Sequence, residues 1–410
     1  MKIGDFSKKF GISIDTVRYY VENGLLLPEK VHNQRKFDER CISDMETILE
    51  LKSMKFSISD IKKMFSLLRL TNLGEDHYKD YYLTLFRNKK KELDSEIEDL
   101  NNSVSLINEK IKEIKDINVK KTSKRNGVPL SFFAYLYCPE CDKMLKLDNA
   151  SVIENQVFNG NLNCDCGYSA YIKDGVIVTD SAIVEENKPL NVDAFFFQSI
   201  RKADPLYISH ISRCLEWIYK RFAKSDLKGK KILEAGAGFG IFLKEFILRD
   251  SAFDGEFYIA CDIYHDVLSH LKNSVEQSYQ SSANVIYISS DFTKLPLKSE
   301  SIDVVFDIFG TTTHKLYNST TALSEIAKYL VTEGSWYGSY KYVLPGEAWF
   351  KEGFRKCENL FRLDCIRTEL EEFKQLEIAD IGNTQNIGEY AKVLKEGSTL
   401  NFWTFMGKKK

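Results

Sequence analysis

At 410 residues, with 28% charged and 43% hydrophobic side chains and a formal net charge of −2, the chain is too long for one compact domain and too balanced for a wholesale polyanion binder. No segment approaches the ~18 uninterrupted apolar residues of a membrane span, and the opening Met1-Lys2-Ile3-Gly4-Asp5-Phe6 lacks a basic-then-apolar leader. A cytoplasmic protein of several domains is expected, with no membrane partner, and any nucleic-acid contact must come from a local basic face.

Residues 1 to about 72 read as short helices and turns. Gly11 breaks a first helix, and Ser13 is placed to cap a second in which Ile14, Val17 and Val21 share the inward face. Gly24 ends that helix and Pro28 forbids its continuation. Past a polar stretch, apolar residues resume at helical spacing through Met45, Ile48, Leu49, Ile58, Ile61, Met64 and Phe65.

Ile3-Gly4-Asp5-Phe6, Gly11 through Tyr20, Gly24-Leu25-Leu26 with Pro28, Arg35 with Phe37, and Ser57 through Ile61 occur in order over nearly seventy positions. The stretch resembles the winged-helix domain of the MerR family of transcription regulators. That resemblance implies a helix-turn-helix whose second helix enters the major groove, a wing on the DNA backbone, and a long helix that builds a homodimer. It further implies bending and untwisting of double-stranded promoter DNA, with RNA polymerase engaged only indirectly through the reshaped promoter. The expected DNA-facing set is Ser13, Asp15, Thr16, Arg18, Tyr19 and Tyr20 with Arg35, Lys36 and Phe37 in the wing. Phe37 stands where the family often has tyrosine.

From about 73 to 126 lies a dimerisation helix with its basic link, Lys120–Gly127. Leu93, Ile97, Leu100, Val104, Ile107, Ile111 and Ile114 alternate steps of four and three, the seam of a coiled coil. A stripe that narrow needs a partner helix, most simply from a second copy of the chain.

Nine cysteines in a chain without a secretion signal disfavour a disulfide framework. Cys41, Cys214, Cys261, Cys357 and Cys365 read as small buried hydrophobes. The other four, Cys138, Cys141, Cys164 and Cys166, form two knuckle-like pairs within 127–185 and resemble a small β zinc ribbon with a structural zinc ion. The second pair is C-x-C, with Asn163 where the ribbon pattern has its first cysteine.

Residues 186–410 alternate strands and helices, with strands expected near 231–235, 256–262, 285–289, 302–307 and 334–341. Glu234-Ala-Gly236-Ala-Gly238-Phe-Gly240 follows the first strand and opens a helix; its glycines allow close backbone approach and the helix start offers free N–H groups. Asp262 ends the next strand, and Ser289-Ser290-Asp291-Phe292 and Asp303 through Asp307 follow. In this order the set resembles the class I S-adenosylmethionine-dependent methyltransferases, implying a Rossmann-like seven-stranded sheet. The resemblance assigns Gly236, Gly238 and Gly240 to the methionine part, Asp262 to the ribose hydroxyls, Asp291 and Phe292 to the adenine, Glu234 to orienting the loop or the ammonium, and Asp307 to the mouth, with Ile263 also in the cofactor-binding set. No catalytic residue stands out, because methyl transfer needs mainly in-line positioning. His314 and Asp307 are the weak candidates, and Trp336, Tyr337, Tyr340, Tyr342 and Trp349 could wall an acceptor or fill a core.

The sequence therefore describes a multidomain α and α/β chain, expected to act as a homodimeric regulator whose methyltransferase-like effector domain senses S-adenosylmethionine or a small-molecule effector. The alternative is a working methyltransferase that regulates its own gene. Its acceptor would be a small molecule, or RNA, since a ribbon joined to this fold resembles the ribosomal RNA guanine methyltransferases.

Overall fold

The computed structural model describes residues 1–31, 34–70, 76–116, 125–185, 191–222, 228–249, 256–278, 284–318, 320–347, 350–385 and 393–410. Of the expected link Lys120–Gly127, residues 120–124 lie outside the described residues, as does Trp349. The chain divides into two compact units, Met1–Asn118 and Val119–Lys410.

In the first unit, Gly11 closes α1 (Ile3–Phe10) in the left-handed conformation at φ +63°. The Ser13 Oγ then starts α2 (Ile14–Glu22) by accepting the Thr16 N–H at 3.0 Å. Val17 and Tyr20 point inward, whereas Ile14, expected to join them, is exposed. The strands β1 (Glu29–Val31) and β2 (Gln34–Lys36) form an antiparallel hairpin with Lys30 opposite Arg35. Asp38 caps α3 (Glu39–Ser53) by accepting the Cys41 N–H at 2.9 Å, the bond that chiefly lowers its pKa. With α4 (Ile58–Leu70), these elements enclose Phe6, Leu25, Leu26, Met45, Ile48 and Met64, all fully buried. Arg69 ties the turn after α2 to α3, donating to the Gly24 and Leu25 carbonyls and to Asp44.

The helix α5 (Asp76–Lys115) runs 40 residues, about 60 Å at 1.5 Å per residue. Tyr82, Leu85 and Phe86 near its start pack on the first unit's core. Further along, Ile97, Leu100, Val104, Ile107, Ile111 and Ile114 are 44–62% exposed in the single chain. No helix among the described residues is long and apolar enough to cross a membrane.

The second unit opens with β3 (Val128–Pro129), β4 (Lys146–Ile153), β5 (Gln156–Asn163), β6 (Ser169–Lys173) and β7 (Val176–Thr179), then α6 (Val192–Lys202) and α7 (Pro205–Phe222). Alternation follows: β8 (Lys231–Ala235), α8 (Ile241–Arg249), β9 (Phe257–Asp262), α9 (His265–Ser278), β10 (Val285–Ser289), β11 (Ile302–Ile308), α10 (Gly310–Asn318), α11 (Leu323–Ala327), β12 (Leu330–Tyr342), α12 (Leu363–Glu369), β13 (Phe373–Thr384) and β14 (Leu400–Lys409). Seven strands lie in the order β13-β14-β12-β11-β8-β9-β10, the first three joined antiparallel and the rest parallel. This is the expected Rossmann-like seven-stranded sheet, and the antiparallel pair β13–β14 ends it.

The cysteine-bearing segment does not close a sheet of its own. Its β7 pairs in parallel with β10, and β6, β5, β4 and β3 extend one continuous 12-stranded sheet from there. Alternation along the strands separates two cores: Phe257, Ile259 and Cys261 of β9 face Phe132, Leu136 and Cys138, while Tyr258 and Ala260 face Phe242, Phe246 and Leu271.

Candidate functional site

The parallel strands β8, β9, β10 and β11 bring their carboxyl ends to one edge, where ligands bind in open α/β sheets. The turn between β8 and α8 is built on positive φ angles at Gly236 (+79°), Gly238 (+51°) and Gly240 (+71°). A Cβ on Gly236 would meet the Gly310 Cα at 2.9 Å and one on Gly240 would meet Leu271 at 2.1 Å, so both are needed for packing. Gly238 faces open space on the same turn. The turn is anchored by the Cys261 carbonyl, which accepts the Gly236 and Ala237 N–H groups at 3.0 and 2.8 Å.

Asp262 ends β9 and reaches back to this turn. Its Oδ2 accepts the Gly238 N–H at 2.8 Å and its Oδ1 the Tyr264 N–H at 3.0 Å. Burial raises its pKa against these bonds, which act to lower it. Its neighbour Ile263 is partly exposed and gives its carbonyl to the Ile183 N–H at 2.8 Å. After β10, Asp291 Oδ1 accepts from the Thr293 N–H and hydroxyl at 2.9 and 2.8 Å, leaving Oδ2 4.0 Å from His314 Nε2. Phe292 is buried against the His314 ring at 5.3 Å. His314 belongs to α10, not to a surface loop, and desolvation lowers its pKa toward the neutral imidazole.

Two acids expected to touch the cofactor are placed differently. Asp307 lies inside β11, wholly buried, with Oδ1 accepting the Thr311 N–H at 2.9 Å and Oδ2 its hydroxyl; burial pushes its pKa up to about 6. It starts α10 and does not line an opening. Glu234 points into the core, where it accepts the Tyr258 hydroxyl at 2.8 Å, and burial raises its pKa to about 8. Trp336, Tyr337, Tyr340 and Tyr342 are buried in the sheet, as core residues.

Several participants escaped the sequence reading. Gly310 is packed so tightly that a Cβ would lie 2.1 Å from the Ala235 carbonyl oxygen, and Ser181 Oγ accepts the Asp291 N–H at 3.0 Å. The Phe196 ring centroid lies 4.6 Å from that of Phe239, the residue between Gly238 and Gly240, with the rings tilted by 37°, while Phe195 and Phe197 of α6 are exposed. The run Phe195-Phe196-Phe197 was the available signal for an aromatic cover over the turn.

The four clustered cysteines converge. All four Sγ atoms lie within 4.8 Å of one another, with Cys138–Cys166 at 3.5 Å and Cys141–Cys164 at 3.4 Å. A tetrahedron of ~2.3 Å zinc–sulfur bonds has sulfur–sulfur edges of about 3.8 Å, so the set fits such an ion. Each pair sits on a turn: the Cys138 carbonyl accepts the Asp142 N–H at 2.9 Å, and Cys164 accepts the Gly167 N–H at 3.0 Å. The Cys166 backbone N–H chiefly brings the Cys164 thiol down to about 7, whereas burial pushes Cys138 up to about 12. All nine cysteines are free thiols; Cys41, Cys214, Cys261 and Cys357 are buried and Cys365 half-buried.

On the first unit, Ser13, Asp15, Arg18, Tyr19, Arg35 and Lys36 are exposed. Arg18 pairs with Asp15 at 2.9 Å on the surface. A shallow groove of about 400 Å³ is lined by Ser13, Asp15, Thr16, Tyr19, Tyr20, Lys52 and Ile58. Phe37 departs from the expected set: it is 1% exposed and stacks on Phe6 at 4.5 Å, so its ring belongs to the core. Tyr20 is mostly buried, and desolvation raises its pKa.

Comparison with known proteins finds the MerR HTH family regulatory protein model over residues 1–68 and a methyltransferase domain model over residues 233–337. An HTH-type transcriptional regulator, a ZntR homolog of Haemophilus influenzae, is 31% identical over 93 residues, spanning 22% of this chain and 67% of that protein. An uncharacterised chloroplastic methyltransferase of Arabidopsis thaliana is 24% identical over 263 residues, 58% of this chain and 70% of that protein. Among solved structures, a phosphoethanolamine N-methyltransferase of Haemonchus contortus matches at 17% identity and a TM-score of 0.37. That match spans 48% of this chain and about half, 52%, of the other.

Proposed function

Because the chain belongs to the MerR family of HTH regulatory proteins, we propose that it is a promoter-binding homodimer whose methyltransferase-like half binds S-adenosylmethionine and reports it to the DNA. The observation that carries this reading is the pairing, in one chain, of a MerR-type unit with a glycine turn whose Gly238 N–H is held by Asp262 at 2.8 Å. A carboxylate that already fixes the turn stands where a ribose diol needs a double acceptor.

In this reading residues 1–72 read DNA, 73–126 dimerise, 127–185 hold zinc and 186–410 bind the cofactor. Arg18, Arg35 and Lys36 contact phosphates and base edges with Ser13, Asp15, Thr16 and Tyr19. The apolar seam of α5 buries itself against a second copy, removing six exposed aliphatic side chains from water. Gly238 and the start of α8 accept the methionine part, Asp262 and Ile263 the ribose, and Asp291 and Phe292 the adenine. Glu234 and Asp307 act from beneath the site, one inside the core under the turn and the other at the start of α10.

The half-buried His314 beside Phe292 and Asp291, its pKa lowered by desolvation, favours a second reading in which methyl transfer also takes place. The cofactor would supply an electrophilic methyl group on its sulfonium. His314 would then receive the proton that an oxygen or nitrogen acceptor loses as its lone pair forms the new bond.

Calorimetry of the full chain with S-adenosylhomocysteine, alongside selection of duplexes it retains, tests both halves of the proposal. One ligand per chain and a two-fold symmetric DNA site are expected. Absence of ligand binding removes the sensing role, and a methylated product in mass spectrometry of substrate pools decides for the second reading.

A further inference from the structure

The two cysteine knuckles lie at the roots of two arms that hold the segment carrying Asp291 and Phe292. From the first knuckle, the residues just before Cys138 run beside residues 296–298: the Tyr137 N–H donates to the Pro296 carbonyl at 3.1 Å, the Lys298 N–H to the Tyr135 carbonyl at 2.9 Å, and Leu136 bridges Leu297. Cys138 itself is fixed by donating its N–H to the Lys143 carbonyl at 2.8 Å across the knuckle turn.

From the second knuckle the chain passes through Gly167 and Tyr168 directly into β6 and β7. Just beyond β7, Ser181 Oγ accepts the Asp291 N–H at 3.0 Å, and Thr179 bonds the Ser290 hydroxyl at 3.0 Å. Residues 290–298 are thus held at one end by Thr179 and Ser181, joined to the second knuckle through β6 and β7, and at the other by residues 135–137, which run straight into the first knuckle. Cys138, Leu136, Phe292, Leu295 and Leu297 share one core, so a shift at the knuckle is transmitted through packed side chains. Beside the knuckles, Leu145, Leu162 and Ala170 are buried in that same core with Cys141, Cys164 and Tyr168 packed against it, so an ion held by the four thiols would join the two arms where they already meet the core under the site.

We propose that the four-cysteine centre is a metal-dependent clamp on the adenine side of the cofactor site, so that metal occupancy and affinity for an adenosyl ligand are linked. The inference rests on the cofactor-binding reading above. Linkage is reciprocal: whatever factor the metal adds to adenosyl affinity, the adenosyl ligand adds to metal affinity.

The test uses the purified full chain, zinc-loaded, stripped with a chelator, and stripped then reloaded, each titrated with S-adenosylhomocysteine in a calorimeter. We expect affinity to fall by about tenfold on stripping and to return on reloading, within the range of typical coupling energies. Where stripping unfolds the sheet extension, the reciprocal measurement stands in: zinc competition against a chromophoric chelator on folded protein, with and without saturating S-adenosylhomocysteine, should show the same factor. Tyr137→Pro removes the N–H that reaches Pro296 and should keep stoichiometric zinc while weakening the metal dependence. Equal S-adenosylhomocysteine affinity in folded stripped and loaded protein overturns the clamp alone. Absence of binding in both forms overturns the clamp together with the cofactor reading.

Discussion

Replacement of Asp262 by alanine should separate the proposed cofactor site from the DNA-binding unit. In the folded chain its two oxygens accept backbone N–H groups at Gly238 and Tyr264, at 2.8 and 3.0 Å. Each charge-assisted bond contributes about 1.5–3 kcal/mol in a buried setting. The carboxylate is half-buried and its charge is disfavoured by that burial, which brings the net loss for the pair to about 2 kcal/mol. At roughly 2 °C per kcal/mol for a unit of this size, the melting temperature should drop by about 4 °C. On the proposed ribose contact, the ligand would lose the acceptor of both hydroxyls, about 3 kcal/mol, or more than 100-fold in affinity at 1.4 kcal/mol per decade. Calorimetry with S-adenosylhomocysteine reads this loss, and a gel shift without ligand should be unchanged. Asp262→Asn, which keeps one acceptor oxygen, should fall between. A folded Asp262→Ala protein that binds the ligand as tightly as the parent would refute the ribose assignment.

Three further outcomes are expected. Glu234 carries a folded pKa of about 8 and Asp307 one of about 6, both raised by burial above the ordinary 4.5 and 3.8. The folded state therefore holds more protons across that window, and their stabilisation, complete below about pH 4, is lost as pH rises through 6 and 8. Melting temperature should decline from pH 5 to pH 8.5, and less steeply in Glu234→Gln, which still accepts from Tyr258; equal slopes would contradict it. Ile107→Lys places a charge in the α5 seam and should shift the protein from dimer to monomer in light scattering, with DNA affinity falling at least tenfold; a stable dimer would discard the seam. Arg18→Ala should weaken operator binding in a gel shift by about tenfold and flatten its salt dependence, and an unaltered shift would move the DNA contact off α2.

The glycine turn was legible because its backbone leaves no choice: φ values of +51° to +79° between a buried strand and a helix call for glycine in that spacing. The four cysteines were legible as a convergent set because thiol pairs on short turns have few other uses. The joining of β7 to β10 was not, since it pairs strands more than a hundred residues apart and leaves no local trace. The antiparallel hairpin at the sheet's end was implied by the resemblance, but the residues of β13 and β14 were not located, and β13 slips register at Lys374/Glu377 and again at Asp380/Gly382, which breaks the period-two pattern. Phe37 and Asp307 share a different cause: chain position put them near a surface, whereas Phe37 packs on the Phe6 ring and Asp307 accepts both the N–H and the hydroxyl of Thr311, partners the sequence pattern does not mark.

The central claim, that one molecule reads both a promoter and an adenosyl ligand, is tested most directly by fluorescence anisotropy. A labelled duplex from upstream of its own gene is titrated with protein, with and without saturating S-adenosylhomocysteine. A coupled regulator gives two curves displaced by about tenfold, and the displacement vanishes in Asp262→Ala. Superimposable curves, from protein that calorimetry shows to be ligand-saturated, would contradict the account.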